Sequence, residues 1–326
     1  MKTQFRFVMT GCLLALSAVA MPAVAQGASD YPNRTVRIVV PFPAGQATDL
    51  NARLLADRLS KRWGQSVYVE NKGGGAGIPG MMTGRDAPAD GYTITFGSSS
   101  TTSVNEALYP KLPYSMADFV PVAPVFSQAW LIVASPDSPH KTFQDVVQAA
   151  RKDPGKLNWG YGATALELAA VLLKQRASID VVGVMYKGSA ATVNDLAGGH
   201  VKLGIETMAA TLPHVKSGRI KAIANLSDQR SPLLPDVPTL AEQGYPGFVA
   251  VGWAGLFVPK GTPAEIVDKI SRDVNQLMRD PSVQQSITAQ GSSVDLRSRS
   301  EWAAFVQSET DKWREVIKKG NIKPPE

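Results

Sequence analysis

Short β-branched runs alternate with amphipathic stretches from residue 35 onward, and this alternation restricts the possible folds more than any other feature. The first runs are VRIVV, SVYVE and YTITF, and TDLNARLLADRLSKRWG lies between the first two. In that stretch the large apolar residues recur with the period of a helix, at Leu50, Leu54, Leu55, Leu59 and Trp63. Gly64 supplies a helix stop. Strands that alternate with helices predict an α/β fold with a parallel sheet covered by helices.

A second α/β pattern begins at AWLIVAS and runs to IKAIANL, and a proline-rich stretch then leads to VGWAGLFVP and two long helical patterns. About 300 residues exceed what one small core holds, so two domains are expected. We predict one lobe from residues 26–124 and 227–326 and a second lobe from residues 125–226. Ligands bind beyond the carboxyl ends of parallel strands, so the expected site is a cleft between the lobes.

The first 25 residues have the pattern of a secretory signal peptide. Lys2 and Arg6 precede an apolar stretch that ends in the small-residue triplet Ala23-Val24-Ala25. The single cysteine, Cys12, lies inside this segment, so a chain cleaved after Ala25 offers no disulfide or cysteine nucleophile. Lipoprotein-type cleavage before Cys12 is the alternative. No later stretch has about 18 consecutive apolar residues, so we expect a soluble, exported protein.

The charge of the chain limits its partners. The formal net charge is +6, and no run of five basic residues occurs. This distribution argues against a nucleic-acid partner. It is compatible with a small anionic ligand and equally with plain solubility.

The first loop between a strand and a helix, PFPAGQATD (residues 41–49), has the composition of an anion site. Gly45 permits close approach of the backbone, and Thr48 or Asp49 can cap the following helix so that its free amides face a ligand. Such a site prefers a carboxylate or a phosphate, and an ordinary tight turn is the alternative. The candidate ligand-binding residues are Pro43, Ala44, Gly45, Gln46, Thr48 and Asp49.

A glycine cluster follows the second strand pattern, in VYVENKGGGAGIPG (residues 67–80). Gly75, Gly77 and Gly80 match the spacing G-x-G-x-x-G of dinucleotide-binding proteins. The cluster follows the second strand instead of the first, however, and the next strand pattern comes too soon to leave room for a long helix. We therefore expect this loop to approach a carboxylate instead of a pyrophosphate. The candidate residues are Gly74, Gly75, Ala76 and Gly77.

Hydroxyl side chains crowd the third loop, GSSSTTSVN (residues 97–105). Ser98, Ser99 and Thr101 are candidate donors to a carboxylate, and a solvated serine-rich turn is the alternative. A serine nucleophile would need a base, and the chain has no G-x-S-x-G motif. A serine-based hydrolase is therefore a remote alternative, and we predict no catalytic residues and no metal site. The three histidines are interpreted as surface residues: His140, His200 and His214.

Further candidates follow the strand patterns LNWGYG, VVGVMYK and VKLGIE. Lys187 together with Gly188 would join a cation to exposed amides. Glu206 would repel an acid unless it held a water or an amino or hydroxyl group of the ligand. Trp159 and Tyr161 are either core residues or a stacking surface for a flat ligand. The candidate residues of this half, which we expect to complete the pocket as the lobes close, are Gly160, Tyr161, Lys187, Gly188 and Glu206.

Several segments occur in order along the whole chain: YPNRTVRIVVPFPAGQATD, VENKGGGAGIPG, APADGYTITFGSSSTTSVNEALYPKLPY, YKGSAATVNDLAGGHV, RSPLLPDVPTLAEQGYPGF and GLFVPKGTPAEIV. Together they resemble the Bug family of periplasmic solute-binding proteins, the receptors of tripartite tricarboxylate transporters. The resemblance implies a two-lobed type II periplasmic binding protein fold, a location in the periplasm of a Gram-negative bacterium and no cofactor. It further implies capture of a small carboxylated ligand for an inner-membrane permease. We expect a monomer, and a receptor for a sensor kinase is the alternative role.

The sequence departs from the family pattern at several candidate positions. Gln46 and Ala76 replace glycines, and Gly73 replaces a proline. The loop after LNWGYG is shorter than in the family, and Glu206 stands where an aspartate is common. The family carboxylate grip is therefore expected in the first two loops. Trp159 and Tyr161, beside the altered loop, suggest an aromatic mono- or dicarboxylate.

Overall fold

The computed structural model describes residues 30–324. The predicted signal peptide, residues 1–25, lies outside the described residues. Within residues 30–324 no helix is both long enough and apolar enough to cross a bilayer.

Strands and helices alternate along the described chain, and the strands and helices predicted from the sequence are confirmed. The strands are β1 (Val36–Val40), β2 (Val67–Asn71), β3 (Thr93–Ser98), β4 (Phe119–Ala134), β5 (Asn158–Tyr161), β6 (Val182–Met185), β7 (Leu203–Thr207), β8 (Lys221–Asn225), β9 (Val251–Pro259) and β10 (Ser293–Val294). The helices are α1 (Ala47–Trp63), α2 (Ile78–Arg85), α3 (Asn105–Leu108), α4 (Phe143–Lys152), α5 (Thr164–Ala177), α6 (Ser189–Ala197), α7 (Met208–Lys216), α8 (Ala264–Met278), α9 (Pro281–Ala289) and α10 (Arg299–Gly320).

The strands form a mixed sheet in the order β2-β1-β3-β9-β4-β7-β5-β6, and β8 and β10 also pair with β4. β1 pairs in parallel with β2 and β3, and β5 pairs in parallel with β6 and β7. β9 and β4 run antiparallel to their neighbours. The predicted α/β class is confirmed. The prediction of a parallel sheet is wrong at the centre, because β4 and β9 are the strands that connect the two parallel groups.

Strand β4 has 16 residues and belongs to both groups. It pairs with β9 from Phe119 to Ala129 and with β7 from Trp130 to Ala134. The register with β9 shifts near Pro121 and Pro124, where proline has no N–H to donate. These prolines also explain why the pattern AWLIVAS marks only the second half of the strand. The predicted lobe boundary after residue 124 falls inside β4, and the division into two lobes stays a prediction.

Buried apolar clusters cover both groups of strands. One cluster contains Trp253 and Trp302, whose rings meet edge to face with their centroids 5.0 Å apart. A larger cluster contains Phe143, Trp159 and Trp313. Because Trp302 and Trp313 both belong to α10, this one helix contributes to both clusters.

Helix α1 begins and ends as the sequence indicates, but its buried face differs in part. Gly64 ends it in the left-handed conformation with φ +64°. Leu55 and Leu59 are buried as predicted, whereas Leu50 is 46% exposed. Asn51, which donates to Gln290 Oε1 at 3.3 Å, is buried in its place. Asn51, a polar residue with a specific partner, therefore occupies the buried position that was predicted for Leu50.

Candidate functional site

The loop between β1 and α1 is held in shape by Asp49. Its carboxylate accepts hydrogen bonds from the Gly45 amide at 2.8 Å and from Asn71 Nδ2 at 2.9 Å, and it pairs with Arg53 at 3.0 Å. The Asp49 side chain is only 2% exposed. Burial raises its pKa, but the bonds from Arg53, Gly45 and Asn71 outweigh this and leave the pKa below its ordinary value. Asp49 therefore organises the loop from inside.

The cap of α1 differs from the prediction. Thr48 and Asp49 lie in the first turn, and the N-cap position is Gln46. Within the described chain the Gln46 side chain makes no capping hydrogen bond. The loop residues before the helix are exposed: Pro43, Ala44, Gly45 and Gln46. The first-turn amides of α1 are thus not covered by the capping side chain that the sequence led us to expect.

The glycine cluster packs against the first loop. Gly74, Gly75, Ala76 and Gly77 all have positive φ. A Cβ at Gly77 would lie 2.5 Å from Thr101 Cγ2, and a Cβ at Gly73 would lie 2.7 Å from the Pro43 nitrogen. These two glycines are therefore required for loop packing. A Cβ at Gly75 would come no closer than 3.7 Å to its nearest neighbour, and residues 74–76 are exposed.

The hydroxyl-rich loop turns inward at the end of β3. Ser98 and Ser99 are 7% and 5% exposed, and the Ser99 amide donates to the Trp253 carbonyl at 2.9 Å. Thr101 is fully buried, and its Oγ1 accepts from the Ser98 amide at 3.0 Å. Ser98 Oγ and Ser100 Oγ lie 3.1 Å apart. Thr101 therefore stabilises the turn, and the serines remain the candidate donors.

The interpretation of the three histidines as surface residues is wrong for one of them. His140 is only 9% exposed, and burial lowers its pKa. His200 is exposed, and His214 is half-buried near the end of α7. None of the three is among the residues that line the cavity described next.

A cavity of about 170 Å³ is lined by residues from both groups of strands. Of the predicted site residues, it brings together Thr48, Ser98 and Ser99. The other lining residues are Phe42, Ala47, Ser100, Phe126, Gln128, Trp130, Ala163, Ala165, Leu166, Ser189, Thr207, Gly252 and Trp253. In this set of described residues, no side chain is acidic or basic. The cavity thus combines uncharged hydroxyl and amide side chains, from both groups of strands, with aromatic and aliphatic groups.

The contribution of β4 to this cavity was not predicted from the sequence. Phe126, Gln128 and Trp130 are alternate residues of β4 and line the cavity together. Alternate residues of a strand point to the same face, so this pattern is the signal that would have identified them. It was hidden because the prolines obscured the first half of the strand.

Gly160 and Tyr161, two candidate residues of the predicted second lobe, lie outside this cavity. Gly160 allows β5 to pack closely against α6, since a Cβ there would lie 2.9 Å from Thr192 Cγ2. Tyr161 lines a separate cavity with Glu167, and its hydroxyl lies 3.5 Å from the Glu167 carboxylate. Burial raises the Tyr161 pKa to about 12. Trp159 is fully buried in the core, so the stacking surface predicted from these two aromatic residues is absent from the cavity that contains Thr48.

The remaining candidates surround the start of α6. Gly188 occupies the N-cap position with φ +101°, and Lys187 is exposed and outside the cavity lining. A Cβ at Gly162 would lie 2.4 Å from the Ser189 nitrogen, so the loop after β5 packs directly on the start of α6. Ser189 itself lines the cavity.

Glu206 lies behind this part of the cavity wall. Its side chain is fully buried, and Oε2 accepts from the Thr207 amide at 3.4 Å. Among the residues that the structure describes, Oε1 makes no well-aligned hydrogen bond, although the hydroxyls of Ser189 and Thr192 adjoin the carboxyl group. Burial raises the Glu206 pKa, and the hydroxyls of Ser189 and Thr192 lower it in part. Ser189 and Thr207, which adjoin this carboxyl group, both line the cavity.

Comparison with known proteins places the chain in a family. The tripartite tricarboxylate transporter family receptor (TctC) matches residues 51–322. The structure of R. palustris Rpa4515 with adipate is 33% identical with a TM-score of 0.76, and the match covers 91% of this chain and 100% of that one. The periplasmic binding protein BugD is 32% identical with a TM-score of 0.71, covering 90% and 99%.

A third structure, MatC (Rpa3494) from Rhodopseudomonas palustris with bound malate, is 31% identical with a TM-score of 0.71, covering 88% of this chain and 100% of that one. These similarities confirm the resemblance seen in the sequence and the predicted type of fold. The chain belongs to the TctC family of tripartite tricarboxylate transporter receptors.

Proposed function

We propose that this receptor captures a small carboxylated molecule in the cavity lined by Thr48, Ser99 and Trp130. It does so in the periplasm, as a monomer, after removal of residues 1–25, and it delivers the ligand to an inner-membrane tripartite tricarboxylate transporter permease. The observation that carries the proposal is the single cavity wall formed by the first turn of α1 and the serines at the end of β3.

The carboxylate is bound at that wall. The first-turn amides of a helix carry a partial positive charge that favours an anion, and the Gln46 side chain does not cover them. Ser99 and Ser100 lie beside them on the cavity surface. Hydroxyl and amide donors of this kind hold a carboxylate without a basic side chain. The exposed residues 74–76 lie outside the lining of this cavity, in a loop that packs on the first loop, and we propose that they extend the same end of the site.

The body of the ligand lies against the aromatic and aliphatic walls. Phe126, Trp130 and Trp253 supply the largest apolar surfaces there. The cavity is smaller than the roughly 300–1,000 Å³ typical of sites for drug-sized ligands, which fits a small molecule. Similar proteins with adipate and malate support a carboxylate as the ligand class.

Binding, and not catalysis, is the proposed activity. A serine nucleophile in this cavity would need a neighbouring general base. The described residues that line the cavity include no histidine, carboxylate or lysine to take that role. Turnover of a generic ester by the purified protein would contradict this part of the proposal.

The proposal is tested by thermal unfolding of protein recovered from the periplasm of an expressing cell, with and without aliphatic and aromatic carboxylates. A ligand at about 100 times its dissociation constant stabilises the folded state by roughly 2.7 kcal/mol, which raises the midpoint by several degrees. We expect such a rise with carboxylates and none with NAD. Ser99→Ala should lower the effect, because it removes a hydroxyl donor. A flat response to every acid would overturn the proposal.

A further inference from the structure

We infer that the cavity recognises an acid that carries a hydroxyl or oxo group on its body, through the indole N–H of Trp130 and the side-chain amide of Gln128. This inference deepens the proposed function and rests on it. It adds a second point of recognition, on the floor of the cavity, to the wall that holds the carboxylate. An acid without this oxygen leaves both groups unpaired and binds more weakly.

Strands β4 and β9 form the floor of the cavity. In the order of the sheet they lie between β3, which ends in the serines, and β7. Phe126, Gln128 and Trp130 of β4 line the cavity as alternate residues, and Gly252 of β9 pairs directly opposite Gln128. Residues directly opposite each other in paired strands lie on the same face of the sheet. Gln128, Trp130 and Gly252 thus share the face that borders the cavity.

The indole nitrogen of Trp130 is an unused donor on this floor. Trp130 is 3% exposed, and its indole nitrogen has no hydrogen-bond partner among the described residues. Trp63 and Trp253, in contrast, donate to carboxylates at 2.7 Å and 3.1 Å. The nitrogen of Trp159 also lacks a partner, but it is enclosed in the core and lies outside this cavity. Because an indole N–H can only donate, the ligand group beside Trp130 has to be an acceptor.

Gly252 keeps this nitrogen open to the cavity. A Cβ at Gly252 would lie 3.2 Å from Trp130 Nε1 and 3.6 Å from two further atoms of the ring. Gly252 is not among the glycines with positive φ, so backbone conformation does not explain the glycine. A glycine inside a strand often marks a place where a ligand comes close to the backbone. The missing side chain leaves a space beside the N–H that an oxygen of the ligand fills.

Gln128 supplies a second polar group next to this space. Its side chain is half-buried and lines the cavity, and its amide has no hydrogen-bond partner in the described part of the chain. A side-chain amide both donates and accepts. A hydroxyl on the ligand can therefore accept from Trp130 and donate to the Gln128 oxygen. An oxo group can accept from both side chains.

The cost of leaving these groups unpaired makes the cavity selective. An acid with an unsubstituted body displaces water from the indole N–H and the amide without replacing the hydrogen bonds of that water. A site that is built to hydrogen-bond a hydroxyl discriminates against the analogue that lacks it. The rings of Phe126 and Trp130 contact the carbon skeleton of both acids, so the oxygen decides which one binds more tightly.

Titration calorimetry with three matched pairs of acids tests the inference. The pairs are butyrate and 3-hydroxybutyrate, succinate and malate, and benzoate and 3-hydroxybenzoate. The members of each pair differ by one hydroxyl group, so the ratio of their affinities isolates the recognition of that oxygen. In the pair that binds most tightly, wild-type protein should bind the hydroxylated member at least about tenfold more tightly.

Two variants and a matched control assign the ratio to the floor of the cavity. Trp130→Phe keeps an aromatic ring and removes the N–H, so it should bring the ratio to within about threefold. Gly252→Ala should have the same effect, because its Cβ would cover the nitrogen. Trp159→Phe removes an indole N–H that lacks a partner outside the cavity, and it should leave the ratio unchanged. A general loss of stability would weaken both members of a pair and would not alter their ratio.

The possible results separate the inference from the proposed function. Equal affinities within every pair for wild type would overturn the recognition of the oxygen and leave the receptor function intact. The same conclusion follows if Trp130→Phe keeps the wild-type ratio, or if Trp159→Phe abolishes it. Gln128→Met, which removes the amide, should also lower the ratio, and it replaces either floor variant if that variant does not fold. Absence of binding by all six acids would overturn the inference, and a flat thermal panel in addition would overturn the receptor function.

Discussion

The Asp49 carboxylate accepts a hydrogen bond from the Gly45 amide at 2.8 Å, across the start of helix α1. This contact lies behind one wall of the cavity and holds the loop that forms that wall. The Asn71 amide joins the same carboxylate at 2.9 Å, so the end of β2 is tied to the loop as well. The shape of the first loop therefore depends on a side chain that does not line the cavity.

Replacing Asp49 should destabilise the protein. Asp49→Ala removes the acceptor for Gly45 and Asn71, and hydrogen bonds to a buried charge are each worth about 1.5–3 kcal/mol. Asp49→Asn keeps one oxygen acceptor and should cost less. Urea unfolding measures the change in the free energy of unfolding for both variants, provided that its slope against urea concentration stays unchanged. Equal losses in the two variants would show that the retained oxygen does not matter.

The loss of stability in Asp49→Ala should depend on pH. The folded-state pKa of Asp49 lies below its ordinary value of 3.8, so its contribution is fully present above that value. It is lost as the pH falls through the folded pKa. The stability difference between wild type and Asp49→Ala should therefore be constant near neutral pH and shrink below about pH 4. A difference that stays constant in acid would contradict this assignment.

Alanine substitutions at Gly77 and Gly75 allow a matched comparison within the glycine cluster. Both have positive φ, but only a Cβ at Gly77 would strike Thr101, at 2.5 Å. Gly75→Ala should cost about 1 kcal/mol from backbone conformation alone. Gly77→Ala adds overpacking and should cost about 2–4 kcal/mol. Denaturant midpoints of the two variants check the prediction, and similar losses would show that the close approach relaxes freely.

Glu206→Gln should stabilise the folded protein at neutral pH. The folded-state pKa of Glu206 is raised above its ordinary value of 4.5, so the native state binds its proton more readily than the unfolded state. Stability from this group is greatest in acid and falls as the pH rises through the folded pKa. The advantage of the variant should therefore be largest at pH 7 and vanish in acid. Unfolding curves at several pH values measure it, and a variant less stable than wild type at pH 7 would argue against a strained charge.

Asp273 connects helices α1 and α8, and replacing it should lower the stability of the whole protein. It accepts from Arg62 Nε and Trp63 Nε1, each at 2.7 Å, and from Lys269 Nζ at 3.1 Å. Because the carboxylate is almost buried, Asp273→Ala should cost about 3–5 kcal/mol. Asp57, which pairs with Lys61 on the surface of α1, is the control, and its replacement should change stability by less than about 1 kcal/mol. Chemical unfolding of the two variants side by side gives the comparison.

The parts predicted correctly from the sequence are those with local causes. Gly64 ends α1 because only a left-handed residue fits there, and β1 follows from its β-branched run. Family segments spread over the whole chain made the type of fold predictable. The buried position of Asn51 was not, because it depends on Gln290, which is 239 residues away.

Of the candidate site residues, only those at the ends of the first and third strands line the cavity that contains Thr48. Thr48 and Ser99 follow strands whose parallel pairing the sequence pattern revealed, and they do line one cavity. Trp130 and Trp253 enter that cavity through the antiparallel pairings of β4 with β7 and with β9, which no local pattern specifies. Tyr161 lies outside that cavity because its side chain leaves β5 on the side of Glu167.

Helix α10 has a consequence for the order of events during synthesis. Trp302 and Trp313 complete two different apolar clusters, and both lie far along the chain. The strands of both clusters leave the ribosome before this helix does, so neither cluster is complete until α10 has been made. Folding from the amino terminus during translation, which is common for domains built from contiguous segments, therefore has to wait for α10 in both clusters.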